Sequence, residues 1–212
     1  MTLPPREIRI RRHALDKLLL YAARCPLEIG GLGTLVEDEE GLLISELFLL
    51  TQRVSASETK LDPEALFELL GRLVAEEQDV AQVRVWWHSH ADMDPIWSET
   101  DSATIGSLPG DFWVALVVNR RGEIACRLDA FSPRRQTWDL PVVEVPDGAD
   151  HDPEVLRASL DREIVEKVRA YAVVQDVIGS EGIAGMLTEY AIPLEVEPAS
   201  GRQSPGDATR GK

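Results

Sequence analysis

The chain has 212 residues, 44% of them hydrophobic, which predicts one domain with a sizeable core plus short appendages. A formal charge of −15 argues against nucleic acid and anionic membranes as partners, because both repel an acidic surface. No apolar run reaches the length of a membrane span and no apolar leader is visible, so we expect a cytoplasmic protein whose two cysteines, Cys25 and Cys126, are free and mostly buried.

The first part of the chain alternates short strands with amphipathic helices. Leucines at helical spacing indicate helices, and runs that alternate or are rich in apolar residues indicate strands. Gly30, Gly31 and Gly33 predict a closely packed backbone. In order, the predicted elements are a strand over 7–11, a helix over 14–24, a hairpin of strands over 32–36 and 42–50, a surface loop over 52–60, and a helix with Asp62 as N-cap and Pro63 as its first residue.

The middle of the chain contains the most apolar strands. The run over 112–118 is continuously apolar and therefore predicts a central strand. Pro141 interrupts the last strand and indicates that it lies at a sheet edge. The predicted elements here are a strand over 83–87, a helix over 98–107, the central strand, a strand over 123–131 and an edge strand over 138–145.

A polar hinge over 147–152 separates these elements from the C-terminal part. Asp152 and Pro153 open a predicted helix that reaches about Ile178, and its apolar stripe could dock on the domain or form a homodimer with a second copy. Residues 194–212 are rich in Pro, Gly, Ser and charge, which is typical of a disordered tail. We therefore predict three parts, a domain over 1–146, a helical extension over 152–192 and a tail over 193–212.

The stretch from His88 to Asp101 carries the candidate chemistry. His88 and His90 are two residues apart at the end of a predicted strand, so their imidazoles point to one face. Asp101 falls in the first turn of the next helix. Two histidines and one aspartate leave one tetrahedral position open, as in catalytic zinc sites, although these ligand types also suit other divalent ions.

The spacing H-x-H-x7-S-x2-D, met by His88, His90, Ser98 and Asp101, resembles the signature of the JAMM (MPN+) zinc metallopeptidases. Glu28, just before Gly30, matches the upstream glutamate of that family. The resemblance covers roughly residues 7–145. It implies the MPN fold, an α/β (α+β) architecture with a curved mixed β-sheet flanked by helices and related to cytidine deaminases. Many members have Pro after the second His, where this chain has Ala91.

The resemblance implies one zinc ion per chain on His88, His90 and Asp101, with Glu28 moving protons and Ser98 stabilising the oxyanion. It implies hydrolysis of the amide or isopeptide bond after the C-terminal Gly of a ubiquitin-like or sulfur-carrier-like protein. The short segments around the predicted cleft resemble the compact prokaryotic members. The thermolysin signature H-E-x-x-H and the deaminase signature with P-C-x-x-C are both missing from the sequence.

Several alternatives stay open at the level of sequence. Ser98 with Asp101 also fits a helix capping box, and Trp97 could pack beneath the site or, with Met93, line a substrate groove. Asp92 and Asp94 could shape the loop or contact substrate. For the whole protein, the alternatives are a binding scaffold, which relatives without metal ligands form, and a general peptidase of phage or cell-wall peptides.

Overall fold

The structure, a computed structural model, describes residues 5–54, 59–147, 152–173 and 192–197. The fold is mixed α/β, with one sheet of eight strands, a second of four, and four helices within these residues. The helices are α1 Arg12–Arg24, α2 Pro63–Ala75, α3 Glu99–Ser107 and α4 Pro153–Lys167. The strands are β1 Ile8–Arg11, β2 Gly30–Asp38, β3 Gly41–Leu49, β4 Gln52–Val54, β5 Thr59–Leu61, β6 Val83–Ser89, β7 Phe112–Val118, β8 Ile124–Ala130, β9 Gln136–Asp139, β10 Val142–Val145, β11 Val168–Val173 and β12 Leu194–Glu197.

The eight-stranded sheet has the order β10-β1-β3-β2-β6-β7-β8-β9 and is curled. Its two edge strands, β9 and β10, are joined by only Leu140 and Pro141. The edges of a flat sheet of eight strands would lie about 34 Å apart at the usual strand spacing. The three Cα steps from Asp139 to Val142 can span at most about 11 Å, so the sheet must bend round to bring its edges together.

The prediction of one edge strand over 138–145 is therefore wrong in one respect. Pro141 ends one strand and the next begins at the opposite edge of the same sheet, because proline has no N–H to continue the ladder. Both edges are fixed at this crossing. The Leu140 N–H donates to Cys126 O at 3.0 Å, and the Ile8 N–H donates to Pro141 O at 2.9 Å.

Most other predicted elements of the domain are confirmed. The hairpin forms as antiparallel β2 and β3, and β7 is a central, almost wholly buried strand between β6 and β8. The Asp62 side chain accepts the Glu64 N–H at 2.9 Å and caps α2, with Pro63 at its first position. None of the helices in the described ranges is long and apolar enough to cross a membrane.

The prediction of a surface loop over 52–60 is wrong, since its described residues form β4 and β5 of the second sheet. Gln52 explains the difference, because its side chain is wholly buried and both of its polar atoms form hydrogen bonds. Its Oε1 accepts the Gly30 N–H at 2.9 Å, and its Nε2 donates to Gly30 O at 2.8 Å and to Leu50 O at 2.7 Å. The amide thus supplies partners for backbone groups of β2, which polar composition alone does not reveal.

The C-terminal helix begins as predicted but ends early. Asp152 caps α4, yet the helix stops at Lys167 and the chain continues as β11, which pairs in parallel with β4. The apolar residues up to Val168 are spaced as in a helix. From Val168 onward, however, the chain forms hydrogen bonds with the backbone of β4 and is a strand. Leu160 and Ile164 of α4 join the core of the domain, so this face docks within the chain. The prediction of a disordered tail is wrong over residues 194–197, which form β12, because their backbone groups pair in parallel with those of β11. Residues 174–178 of the predicted helix and the predicted tail beyond 197 lie outside the described residues.

Both cysteines are buried and free, as predicted. Burial raises the pKa of Cys25 and that of Cys126 to about 12. The folded protein therefore keeps both thiols protonated at pH values where the unfolded chain ionises them. We expect the free energy of unfolding to be independent of these thiols below about pH 8.5 and to fall above it, by about 2 kcal/mol for each thiol at about pH 10.

Urea denaturation at about pH 8 and about pH 10 measures this loss of stability. Cys126→Ala should lose about 2 kcal/mol less than the wild-type protein between the two pH values. The loss is the difference between two pH values for the same protein. The cost of the cavity that the substitution leaves is the same at both pH values and therefore cancels. An equal loss in the variant would contradict the protonated state of the buried thiol.

Candidate metal centre

The end of β6 brings the two predicted histidine ligands together. His88 pairs with Gly30 of β2 and with Val117 of β7, which fixes its backbone at the centre of the sheet. His90 follows directly after β6. The two Nε2 atoms lie 3.0 Å apart, and both side chains are buried.

The first turn of α3 adds the carboxylate. Asp101 Oδ1 lies 3.2 Å from His88 Nε2, and Asp101 Oδ2 lies 3.8 Å from His90 Nε2. One ligand atom from each of the three residues can be chosen so that all lie within 4.8 Å of one another. The structure therefore brings together the three predicted ligands, in a group that could hold a metal ion.

The position of Asp101 follows from a capping box. The Asp101 N–H donates to Ser98 Oγ at 3.0 Å, and the Ser98 N–H donates to Asp101 Oδ2 at 2.7 Å. The two roles weighed for Ser98 are compatible in this geometry. Capping uses a lone pair of the hydroxyl oxygen, so the hydroxyl proton can still be donated to another acceptor.

The hydrogen bond that His90 forms through Nδ1 leaves its other ring nitrogen able to bind a cation. Its Nδ1 lies 2.9 Å from Asp94 O, and because a carbonyl oxygen only accepts, Nδ1 must carry the proton. The neutral ring then presents a lone pair on Nε2, toward the same point as the Asp101 carboxylate. Electron-pair donors that converge in this way fit a divalent ion, and a ring N–H held by a carbonyl is the usual support of a histidine ligand.

The electrostatics favour an ionised carboxylate at this centre. Burial alone would raise the pKa of Asp101, but the neighbouring His88 and His90 rings hold it well below its usual range. Burial lowers the pKa of His88, and the neighbouring Asp101 carboxylate raises that of His90. A buried, negative carboxylate beside a neutral His88 is the protonation state in which both residues can bind a metal.

Glu28 is half-buried in the loop between α1 and β2, and it lines the same cavity as the three ligands. Burial raises its pKa, with a smaller upward contribution from Asp101 and a downward one from His90. Hydrogen bonds fix the backbone on both sides. Ser89 Oγ accepts the Ile29 N–H at 3.1 Å and donates to Leu27 O at 3.2 Å, and Thr59 Oγ1 donates to Glu28 O at 2.6 Å.

The cavity has a volume of about 870 Å³. Its wall bears on the two positions weighed for Trp97, packing beside the site and lining a substrate groove. Trp97 and Met93 line the cavity, together with Ser98. The Trp97 ring centroid lies 4.5 Å from the Arg127 guanidinium carbon and 6.3 Å from the His88 ring centroid. Trp97 therefore both packs beside the centre and forms part of the cavity wall.

Sequence reasoning missed Ser89, Gln52 and the backbone of Ala91. Ser89 lies between His88 and His90 in the chain and points to the opposite face, and that alternation is the one signal that could have indicated its role. Ala91 has φ of 45°, in the left-handed region, which costs a non-glycine residue of order 1 kcal/mol. A proline could not adopt this conformation, because its ring fixes φ near −65°.

Comparisons with known proteins do not identify the chain. No protein-family model matches it, and no curated protein matches it. Among solved structures, it is similar to the solution structure of protein DSY2949 from Desulfitobacterium hafniense, with a TM-score of 0.46 and 13% identity over 68% of this chain and 99% of that one. A likeness of this extent identifies neither a family nor a function.

Proposed function

We propose that the protein is a zinc-dependent hydrolase of amide or isopeptide bonds, with an MPN-type fold and a JAMM-type site. The observation that carries the proposal is the convergence of His88, His90 and Asp101 on the cavity that Glu28 and Ser98 also line. When bound, zinc supplies Lewis acidity, which lowers the pKa of a coordinated water toward about 7 and polarises a carbonyl.

Glu28 is the general base and acid of the proposed reaction. It accepts a proton from the attacking water and returns it to the leaving amine. A carboxylate does both most effectively when its pKa lies closer to neutral than usual, and burial shifts the pKa of Glu28 in that direction. The Ser89 and Thr59 hydrogen bonds hold its backbone, so the carboxylate needs little reorganisation during the reaction.

Ser98 donates its hydroxyl proton to the oxygen of the scissile carbonyl as negative charge develops there. The capping box supports this role because the Asp101 N–H fixes the oxygen of the hydroxyl and leaves its proton available. A donor that is already oriented stabilises an oxyanion without paying for reorientation.

The proposed substrate is the C-terminal tail of a ubiquitin-like or sulfur-carrier-like protein, joined through its last Gly to an amine. The cavity is open to solvent beside exposed Met93 and Ile96, which offers an apolar wall to an extended tail. A binding scaffold has less support, because no role in assembly requires three buried metal ligands beside a glutamate of raised pKa.

Glu28→Gln should lower the single-turnover rate constant of cleavage by about 1,000-fold while zinc content stays at the wild-type level, because the amide cannot accept the proton. The measurement is single-turnover cleavage of a panel of ubiquitin-like and sulfur-carrier-like fusions, each linked through its C-terminal Gly to a reporter. Elemental analysis of the same samples gives the zinc content.

Glu99→Gln is the matched control. Glu99 is closer in sequence to the ligands than Glu28, but it is exposed in the first turn of α3 and should leave cleavage unchanged. Full activity of zinc-loaded Glu28→Gln would exclude Glu28 as the base. A zinc-loaded wild-type protein that cleaves only unrelated peptides would instead favour the general peptidase.

A further inference from the structure

The loop that follows His90 is held by the turn between β7 and β8. Three consecutive carbonyl groups of this loop, those of Ala91, Asp92 and Met93, each accept a hydrogen bond from that turn. The donors are, in order, the Arg120 N–H at 2.8 Å, Arg121 Nη1 at 2.8 Å and Asn119 Nδ2 at 3.1 Å. The fourth carbonyl, that of Asp94, accepts the hydrogen bond from His90 Nδ1.

The turn is itself organised around one carboxylate. Glu123 Oε2 accepts from Asn119 Nδ2 at 2.6 Å, from Arg121 Nε at 3.0 Å and from Arg121 Nη2 at 2.7 Å. Arg121 Nη2 also donates to Asp94 Oδ1 at 2.6 Å. The planar guanidinium therefore contacts the side chain of the residue whose carbonyl orients His90, and a lysine could not make these contacts together.

The conformation of the loop needs such support. Ala91 is in the left-handed region, with φ of 45°, directly after a metal ligand. A non-glycine residue adopts this conformation only when its surroundings impose it. Here the Ala91 carbonyl is held by the Arg120 N–H, and the His90 N–H donates to Val118 O at 2.8 Å.

We propose that Asn119, Arg121 and Glu123 form a positioning clamp for the metal centre, which we call the β7–β8 clamp. It holds the loop so that the Asp94 carbonyl faces His90 Nδ1, and this fixes the proton on Nδ1 and leaves Nε2 free to bind metal. The inference rests on the metal centre of the proposed function, but it concerns residues that do not themselves bind metal or substrate.

The test compares Arg121→Met with Arg24→Met. Arg24 is a matched control, because it makes a surface ion pair with Asp161 at 2.7 Å and is 42% exposed, against 47% for Arg121. Zinc affinity is measured by competition with a chromophoric chelator. We expect Arg121→Met to bind zinc about tenfold more weakly and Arg24→Met to bind it as the wild type does, since supporting contacts of metal ligands have effects of this size.

A second readout needs neither metal nor activity. Nitrogen-15 NMR of the neutral His90 ring in the metal-free protein reports which nitrogen carries the proton. We expect the Nδ1–H tautomer in the wild-type protein and in Arg24→Met, and a mixture of tautomers in Arg121→Met. If the wild-type protein bound no zinc, the proposed function would fail, whereas this readout would still decide the clamp.

Three results would overturn the clamp. Arg121→Met could retain wild-type affinity and tautomer, or Arg24→Met could lose as much affinity, which would indicate a general loss of stability. Full rescue by Arg121→Lys would show that charge alone is needed, because lysine keeps the charge but not the planar set of donors.

Discussion

Replacing His88 by alanine should abolish metal binding, from about one zinc per chain to essentially none, because only two of the three ligands would remain. The loss should also appear in thermal unfolding. Zinc in excess should raise the Tm of the wild-type protein, since a ligand that binds the folded state stabilises it by mass action, and it should leave the Tm of His88→Ala unchanged. Elemental analysis after dialysis measures the stoichiometry.

Two further variants make this test specific. His13→Ala removes a half-buried histidine of α1 and should keep the metal. Asp101→Asn keeps an oxygen that can accept the Ser98 N–H but removes the charge, so α3 should stay capped while zinc binding weakens. Zinc retained at full stoichiometry by His88→Ala, or no zinc bound by the wild-type protein, would contradict the metal centre.

Gly31→Ala should destabilise the protein by about 3 kcal/mol or prevent folding, the second large effect that we expect. A Cβ at this position would lie 1.9 Å from Phe48 O and 3.0 Å from Trp87 Nε1. Phe48 O is a backbone atom of β3 and accepts the Trp87 indole N–H at 3.2 Å, so neither neighbour can move without disturbing the sheet. Urea denaturation measures the change in the free energy of unfolding.

Gly71→Ala provides the opposite control. Gly71 is exposed within α2, where a Cβ would meet no atom within 4 Å. Alanine should therefore stabilise the helix by about 0.5–1 kcal/mol. Equal stabilities for Gly31→Ala and the wild-type protein would show that β2 and β3 can separate without cost, which the close contact argues against.

The sequence predicted those helices and strands whose structure follows from local signals in their own residues. Asp62 and Pro63 begin α2 through local chemistry, and the apolar run of β7 can be buried only as a central strand. The second sheet could not be predicted in this way. The segments that form β4 and β11 are far apart in the chain, and they pair because each satisfies backbone groups of the other.

The same division applies to the metal centre. The convergence of His88, His90 and Asp101 was predicted because the period of a strand and the first turn of a helix place them on converging elements. The supporting groups were not, since their roles depend on contacts between distant segments. Gln52 bonds to Gly30, and Arg121 bonds to the Asp92 carbonyl, through side chains that are unremarkable in the sequence.

The two-residue crossing at Leu140 and Pro141 has a consequence for how the molecule opens. In an open sheet, the two outer strands fray independently, and each loses its hydrogen bonds with its own probability. Here β9 cannot move far from the sheet without pulling β10 from β1, because the tether between them is too short. We therefore expect local opening at the two edges to be coupled beside this crossing, so that the sheet that carries His88 responds there as a closed ring would.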